Sequence, residues 1–271
     1  MTENKNERTE QGQMTFFGHI DALRPHLIKG TAGLLIFSIA AFFFKDLIID
    51  KILFGPQSPD FITNRILCRL GELTGSKALC INNVEYNLIN TKLSGQFILH
   101  ITVSLVSGLV IAVPYIIWEL WKFIKPALAP REIKNSRYLV LYVSLCFFTG
   151  IFFGYFLISP ITISFFQTYT VSDSITNLFD ISSYLSTVLN VSLACGVVFQ
   201  LPIFIYFLTK TGIVNSDFLK KYRKHAVIVI LIFASIITPP DVFSQILIGI
   251  PMYLLYELSI RIAVRTEKKA I

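Results

Sequence analysis

The sequence predicts an all-α, polytopic membrane protein with six transmembrane helices. Of its 271 residues, 54% are apolar and only 15% are charged, whereas a soluble domain carries about 25% charged residues. Six runs that together hold half of the chain lack Asp, Glu, Lys and Arg: 30–44, 93–118, 138–172, 181–209, 225–240 and 242–256. So much unbroken apolar sequence indicates a lipid bilayer as the solvent. It excludes a cytosolic enzyme, a disordered protein, a disulfide-rich secreted domain and a nucleic-acid-binding protein.

Helices follow from the lipid environment, because a segment in a bilayer must satisfy its own backbone hydrogen bonds. The runs also lack the alternating pattern of membrane barrel strands. We expect helices near 24–46, 93–118, 138–168, 181–209, 224–239 and 242–262. Within the third, Gly150 and Gly154 form a Gly-x-x-x-Gly pattern that favours close helix packing.

The fifth and sixth helices are expected to be short. The apolar part of the fifth, 226–238, would span roughly 20 Å at 1.5 Å per residue, against a hydrocarbon thickness of about 30 Å. Two explanations remain open. Arg223, Lys224 and Arg261 could snorkel to complete ordinary helices, or the bilayer could be thinned beside a translocation path.

Charge placement predicts that both chain termini lie in the cytoplasm. Basic residues concentrate in segment 1–29, in the connections 119–137 and 210–224, and in the C-terminal tail, and such residues favour the cytoplasmic side. The first loop, 47–92, is long and of nearly balanced charge, so it weighs little in this rule. We expect a disordered cytoplasmic tail at 1–18, a transmembrane domain at 19–265 with 47–92 as a periplasmic loop, and a cytoplasmic tail at 266–271.

Two of the four cysteines, Cys68 and Cys80, lie in the first loop. On the periplasmic side they could form a disulfide, or they could remain free thiols. Cys146 and Cys195 lie in apolar runs and are expected to be packing residues. The four histidines are scattered at helix ends, and no spacing indicates a metal site or paired catalytic groups. We therefore expect no enzymatic activity and no cofactor.

The connection after the second helix is amphipathic and suits a membrane interface. Trp118, Trp121 and Phe123 fit an interfacial belt with Lys122 and Lys125 at the headgroups, and Pro126 and Pro130 end the segment. Glu132 is the one acid among Arg131, Lys134 and Arg137. It could form a local salt bridge, or it could receive a cationic peptide whose arginine makes a bidentate contact.

Four stretches resemble the TatC family, the multi-spanning receptor of the twin-arginine protein translocase. They are Phe16–Arg24, similar to a His-Leu-x-Glu-Leu-Arg signature; Trp121–Leu128 followed by Glu132; Phe199–Pro202; and Thr238–Gln245, continued by Ile250–Tyr253 and Glu257. The resemblance covers roughly residues 14–265. The last stretch, which contains Thr238, Pro239, Pro240, Asp241 and Gln245, is the most specific of the four.

The resemblance implies a bacterial inner-membrane protein that binds twin-arginine signal peptides of folded precursors at its cytoplasmic face. It implies transport driven by the proton motive force, TatA- and TatB-type single-span partners, and an oligomeric assembly. The signal peptide would contact Asp21, Arg24, Phe123, Leu128 and Glu132. Ala22 stands where the family signature often has Glu, so Asp21 is expected to substitute.

The fourth predicted helix carries Gln200 where the family commonly has Glu. We therefore do not expect Gln200 to titrate within the membrane. We expect it to form a hydrogen bond to a neighbouring or partner helix. Two other functions are alternatives to a translocase receptor. A small-molecule or ion carrier would need a charged site near mid-membrane, and an intramembrane enzyme would need paired catalytic groups within the spans. A neighbouring short gene that encodes a protein with one transmembrane helix and one amphipathic helix would favour the translocase.

Overall fold

The computed structural model describes residues 16–75, 80–81, 88–125, 136–172, 174, 177–237 and 242–270. It confirms a mostly helical, polytopic membrane fold. Ten α-helices lie in the described residues: α1 Phe16–Phe43, α2 Ile62–Thr74, α3 Gly95–Ile124, α4 Ser136–Phe153, α5 Ser159–Thr168, α6 Ile181–Val198, α7 Leu201–Lys210, α8 Ser216–Lys221, α9 Arg223–Ile237 and α10 Val242–Ala270. The π-helical segment Gly154–Ile158 joins α4 to α5.

Within this described part, five helical stretches are long and apolar enough to cross a membrane: Asp21–Phe43, Gly95–Ile124, Leu139–Thr168, Ile181–Lys210 and Ser244–Lys268. The fifth predicted helix corresponds to α9, which has 15 residues and is therefore roughly 22 Å long. The count of six spans stays a prediction. We call the side at which α1 begins and α10 ends the terminal side, and the side that carries the first loop the loop side.

The prediction that the sixth helix is short was wrong. Helix α10 has 29 residues, because its charged C-terminal half continues the helix rather than ending it. Ile260 and Ala263 in that half are buried with Ile205 of α7 and Leu219 of α8. The beginning of the chain also differs from expectation, since α1 starts at Phe16, within the segment 1–18 predicted to be a disordered tail.

Small residues allow the longest helices to approach closely. Gly108 of α3 packs on the backbone of Ser38 in α1, and Gly33 of α1 packs on the ring of Tyr115. Gly150 and Gly154 similarly face the α6 backbone, where a Cβ on Gly150 would lie 2.5 Å from the carbonyl oxygen of Cys195. The helices α1 and α3 therefore form an antiparallel pair, and α4 packs tightly on α6.

The first loop folds back onto the bundle. It contains a π-helical segment, Asp46–Leu53, a 3₁₀ turn, Gly55–Gln57, and α2. Tyr184 of α6 donates a hydrogen bond to the carbonyl of Leu53 at 3.0 Å, and Tyr155 donates one to the carbonyl of Ile52. Leu53 is buried in an apolar core with Leu99, Val103, Ile163, Leu185 and Val188. These contacts tie the loop to α3, α5 and α6.

A short parallel ladder joins the first loop to the turn before α6. Strand β1, Leu88–Ile89, pairs with β2, Phe179–Asp180. The Asp180 carboxylate accepts hydrogen bonds from Thr91 Oγ1 at 3.0 Å and from the Ser182 and Ser183 amides at 2.9 and 3.4 Å. Asp180 is thus both the N-cap of α6 and a link to the first loop.

We expect the Asp180 link to weaken in acid. Partial burial alone would raise the pKa of this carboxyl, but the bonds from Thr91, Ser182 and Ser183 outweigh it and hold the pKa below its ordinary value of 3.8. Because the folded-state pKa is depressed, the stabilisation is present above the ordinary pKa and is lost as pH falls through the folded-state value. At pH 7, Asp180→Ala should lose about 1 kcal/mol of stability.

Thermal unfolding in detergent at pH 7 and below pH 4 would measure this effect. The difference between the wild type and Asp180→Ala should shrink in acid. Asp60→Ala is the control, since Asp60 is an exposed acid on the same side that pairs with Arg65 at 3.3 Å. A difference that does not change with pH would contradict the titration.

In the structure, Cys68 of α2 and Cys80 form a disulfide across 12 residues. Closing a loop of this size stabilises a fold by about 3 kcal/mol in the chain-entropy description. In a Cys146→Ser/Cys195→Ser background, maleimide should leave the denatured protein unmodified and add two adducts after reduction, as read by intact mass. Immediate labelling of both thiols would contradict the bridge.

Candidate functional site

A buried carboxylate lies between α1 and α3 at the terminal side. Glu119 is only 3% exposed. Its two oxygens contact two basic side chains, His26 Nδ1 of α1 at 2.9 Å and Lys122 Nζ of α3 at 2.6 Å. The contacts of Gly108 with Ser38 and of Tyr115 with Gly33 set the register that brings His26 opposite Glu119. A carboxylate buried so deeply has to be paired, and here both partners keep part of their surface open.

Aromatic side chains surround this carboxylate. Lys122 Nζ lies 5.6 Å from the centre of the Trp118 ring, and the rings of His26 and Phe123 are 6.3 Å apart. Phe123 is half-buried in the last turn of α3, and Trp118 is exposed. The site therefore combines a buried carboxylate, two basic side chains that contact it and a partly exposed aromatic surface. Such a surface can accept a guanidinium group followed by apolar residues.

Only some of the predicted site residues fall in the described part of the chain. Asp21 and Arg24 are exposed on the first turns of α1, five and two residues before His26. Since α1 and α3 are antiparallel, Asp21, Arg24 and Phe123 share the terminal side. The structure does not describe Leu128, Glu132, Thr238, Pro239, Pro240 or Asp241, so the signal-peptide contacts predicted for Leu128 and Glu132 stay predictions.

Gln200 lies at the break between α6 and α7. Its Nε2 donates to the carbonyls of Val143 and Gly196 at 3.3 and 3.4 Å. No donor in the described part of the chain reaches its buried Oε1. Gln245 of α10 donates to the carbonyl of Leu231 in α9 at 2.9 Å. Both amides thus bond to neighbouring helices.

Glu257 forms a second ionic link on the terminal side. Arg223, the first residue of α9, binds it through two nitrogens at 3.0 Å each, and Tyr253 donates to it at 3.2 Å. This geometry fixes the beginning of α9 against α10. It leaves Glu257 as a structural partner rather than an isolated acid inside the membrane.

Sequence reasoning missed Glu119 and His26 as site residues. The Glu119–Lys122 spacing of three residues was the available signal, because i,i+3 pairs of opposite charge are neighbours on a helix. The sequence contains nothing that aligns His26 with Glu119. Among the described residues, no group of three or more His, Cys, Asp or Glu side chains could hold a metal ion.

Comparison with known proteins identifies the family. The sequence model of the Sec-independent protein translocase protein (TatC) matches residues 18–251. A Sec-independent protein translocase protein TatC from Blattabacterium sp. subsp. Periplaneta americana is 41% identical over 264 residues, which cover 97% of this chain and 99% of that protein. The chain belongs to the TatC family. It is accordingly a multi-pass inner-membrane protein of a protein-transport family.

More distant relatives extend along most of the chain. A TatCy protein from Bacillus subtilis is 28% identical over 263 residues, 97% of this chain and 94% of its own length. A crystal structure described as the twin-arginine translocase receptor TatC has a TM-score of 0.71 and 29% identity, and the match covers 92% of this chain and 99% of the other. A crystal structure described as the same receptor in DDM has a TM-score of 0.73 and 30% identity. The resemblance drawn from the sequence motifs is thus confirmed.

Proposed function

We propose that this chain is the receptor subunit of a twin-arginine translocase. It binds the twin-arginine signal peptides of folded precursors at the terminal side, which faces the cytoplasm. It supports their export, driven by the proton motive force, together with TatA- and TatB-type partners. The observation that carries the proposal is the carboxylate site between the terminal ends of α1 and α3, in a chain of the TatC family.

The charges of the site support this proposal. Two consecutive arginines need carboxylates at the interface, and each exposed pair contributes about 1 kcal/mol or less. A carboxylate that is shielded from water and bound through two nitrogens contributes more. Glu119 is shielded in this way, and Asp21 is an exposed acid near it on α1. Glu132 would add a third carboxylate from the connection that follows α3.

The apolar part of a signal peptide also finds a surface here. Phe123 and Trp118 lie at the end of α3, and Leu128 follows in the sequence four residues after Ile124, where the helix ends. An apolar segment that enters the bilayer beside α3 would bury its side chains against these residues. Partner helices would meet the protein elsewhere on its surface.

Site-specific crosslinking tests the proposal directly. A photoreactive residue at position 21, 123 or 132 should attach to a twin-arginine signal peptide, and replacing the two arginines of that peptide with lysines should weaken the attachment. The same photoreactive residue at Leu73, exposed on the loop side, is the control and should not react. Equal capture at Leu73, or export of folded cargo in a strain that lacks the gene, would refute the proposal.

We expect Glu119→Gln and Lys122→Gln to act in opposite directions on peptide binding. Loss of the Glu119 charge leaves Lys122 to repel the arginines, so binding should weaken about tenfold, or about 1.4 kcal/mol. Lys122→Gln removes a competing cation and should strengthen binding. Titration of a labelled signal peptide into the purified protein would measure both. If both variants weaken binding equally, Glu119 is only an internal ion pair.

A further inference from the structure

Large apolar side chains of helix α2 point away from the rest of the protein, which is unusual for a loop surrounded by water. Four large apolar residues point outward: Ile62, Ile66, Leu70 and Leu73 are 60, 54, 46 and 84% exposed. At 3.6 residues per turn they fall within an arc of about 80°. The buried residues of this helix, Asn64 and Gly71, lie roughly opposite that arc. We call the four residues the α2 stripe.

The inward face of α2 is polar and satisfied. Asn64 is 1% exposed, and its Nδ2 donates to the carbonyls of Pro56 and Ser58 at 3.2 and 2.8 Å. Burial of Asn64 therefore fixes the rotation of the helix and keeps the stripe outward. A contiguous exposed apolar surface of this kind marks a contact with a membrane or a protein.

Contacts with the third span show the depth at which α2 lies. Thr63 donates a hydrogen bond to the carbonyl of Phe156, and Phe61 stacks on the Phe156 ring at 5.5 Å. Phe156 lies 17 residues after Leu139 and 12 before Thr168 in that span. These separations correspond to about 25 and 18 Å along the helix. The start of α2 is thus beside the apolar part of the span rather than beyond its end.

The surface around Phe156 continues toward lipid. Phe152, one turn before it in α4, is 57% exposed, and the two rings are 6.1 Å apart. Arg65, Arg69 and Glu72 are exposed on α2 along one edge of the stripe. Long charged side chains in that position can extend to the headgroups while their helix lies in the interface.

We propose that α2 is an interfacial helix whose stripe is embedded in the lipid leaflet on the loop side of the membrane. Its occupant is phospholipid: acyl chains against Ile62, Ile66, Leu70 and Leu73, and headgroup phosphates against Arg65 and Arg69. The disulfide from Cys68 to Cys80 then connects this anchor to the rest of the first loop. The inference depends on membrane insertion alone and not on signal-peptide binding.

Spin labels on two faces of α2 test this inference. Labels at Leu70 and at Glu72 would be introduced into the Cys146→Ser/Cys195→Ser variant, with the disulfide intact, in vesicles of three parts phosphatidylethanolamine to one part phosphatidylglycerol. The label at Leu70 should collide several-fold more with oxygen than with a water-soluble nickel complex, and the label at Glu72 should do the reverse. Nickel access to both labels, or exclusion of both reagents from Leu70, would overturn the proposal in favour of water or of a protein partner.

A second measurement needs no substitution. The wild-type protein would be reconstituted with a phospholipid that carries a photoreactive group on its acyl chain, and adducts would be located by mass spectrometry. Adducts at Ile66, Leu70 or Leu73 are expected, at a level comparable to that at Phe152. Labelling of Phe152 without labelling of the stripe would overturn the proposal.

Discussion

Replacing Glu132 with Gln should abolish the export of folded proteins that carry a twin-arginine signal, while the protein stays inserted in the membrane. Glu132 is surrounded in sequence by Arg131, Lys134 and Arg137, so its loss removes the only negative charge from that connection after Glu119. The substitution keeps the size of the side chain and its ability to accept a hydrogen bond. It removes only the charge that would attract a guanidinium group.

The size of this effect follows from cooperation between carboxylates. In the complex, where the bound peptide shields the contact from water, a charge-assisted hydrogen bond between Glu132 and a guanidinium group contributes about 1.5–3 kcal/mol, and a loss of about 2.8 kcal/mol lowers binding about a hundredfold. At such an affinity the site would be almost empty at cellular concentrations of precursor. Glu119→Gln should weaken binding less, because Glu119 already shares its charge with His26 and Lys122.

Export of a folded periplasmic reporter, in a strain whose own gene is deleted, measures the result. Asp217→Asn is the matched control: it removes one exposed acid on the same side, which pairs with Lys220 at 3.0 Å, and export should be unchanged. Membrane content of each variant would be measured by immunoblot. Normal export by Glu132→Gln at normal abundance would remove Glu132 from the receptor site.

The spans were predictable because lipid imposes a simple rule on length and charge. Uncharged runs gave the α4–α5 helix and the α6–α7 helix to within two residues, but they missed the first eight residues of α1 and the last six of α3, which contain charged side chains. The same rule misjudges α10, because it places the end of that helix near Glu257 and Arg261. In the structure, Glu257 is neutralised by Arg223, and charged residues can continue a helix whose buried face remains apolar.

Features that depend on helix register could not be predicted. The Glu119 site needs His26, which is 93 residues away in sequence, and only the antiparallel packing of α1 on α3 brings the two together. The pairing of Cys68 with Cys80 was left open, because spacing alone does not decide between a disulfide and two thiols. The α2 stripe carried a readable signal in the spacing of residues 62, 66, 70 and 73, but its exposure depends on the buried Asn64.

Gly108→Ala should separate α1 from α3 and thereby damage the site without touching it. A Cβ at position 108 would lie 2.5 Å from the backbone Cα and N of Ser38, and backbone atoms can yield only if the helices move apart. Overpacking of this kind costs about 1–3 kcal/mol. Because the same packing aligns His26 with Glu119, signal-peptide binding should fall as well. Gly30→Ala is the matched control, since a Cβ at Gly30 meets no atom of the described residues within 4 Å. That change should be neutral or stabilise α1 by up to about 1 kcal/mol through helix propensity. Thermal unfolding in detergent and peptide titration on both variants would decide the matter, and equal behaviour of the two would show that the Gly108 contact does not set the register.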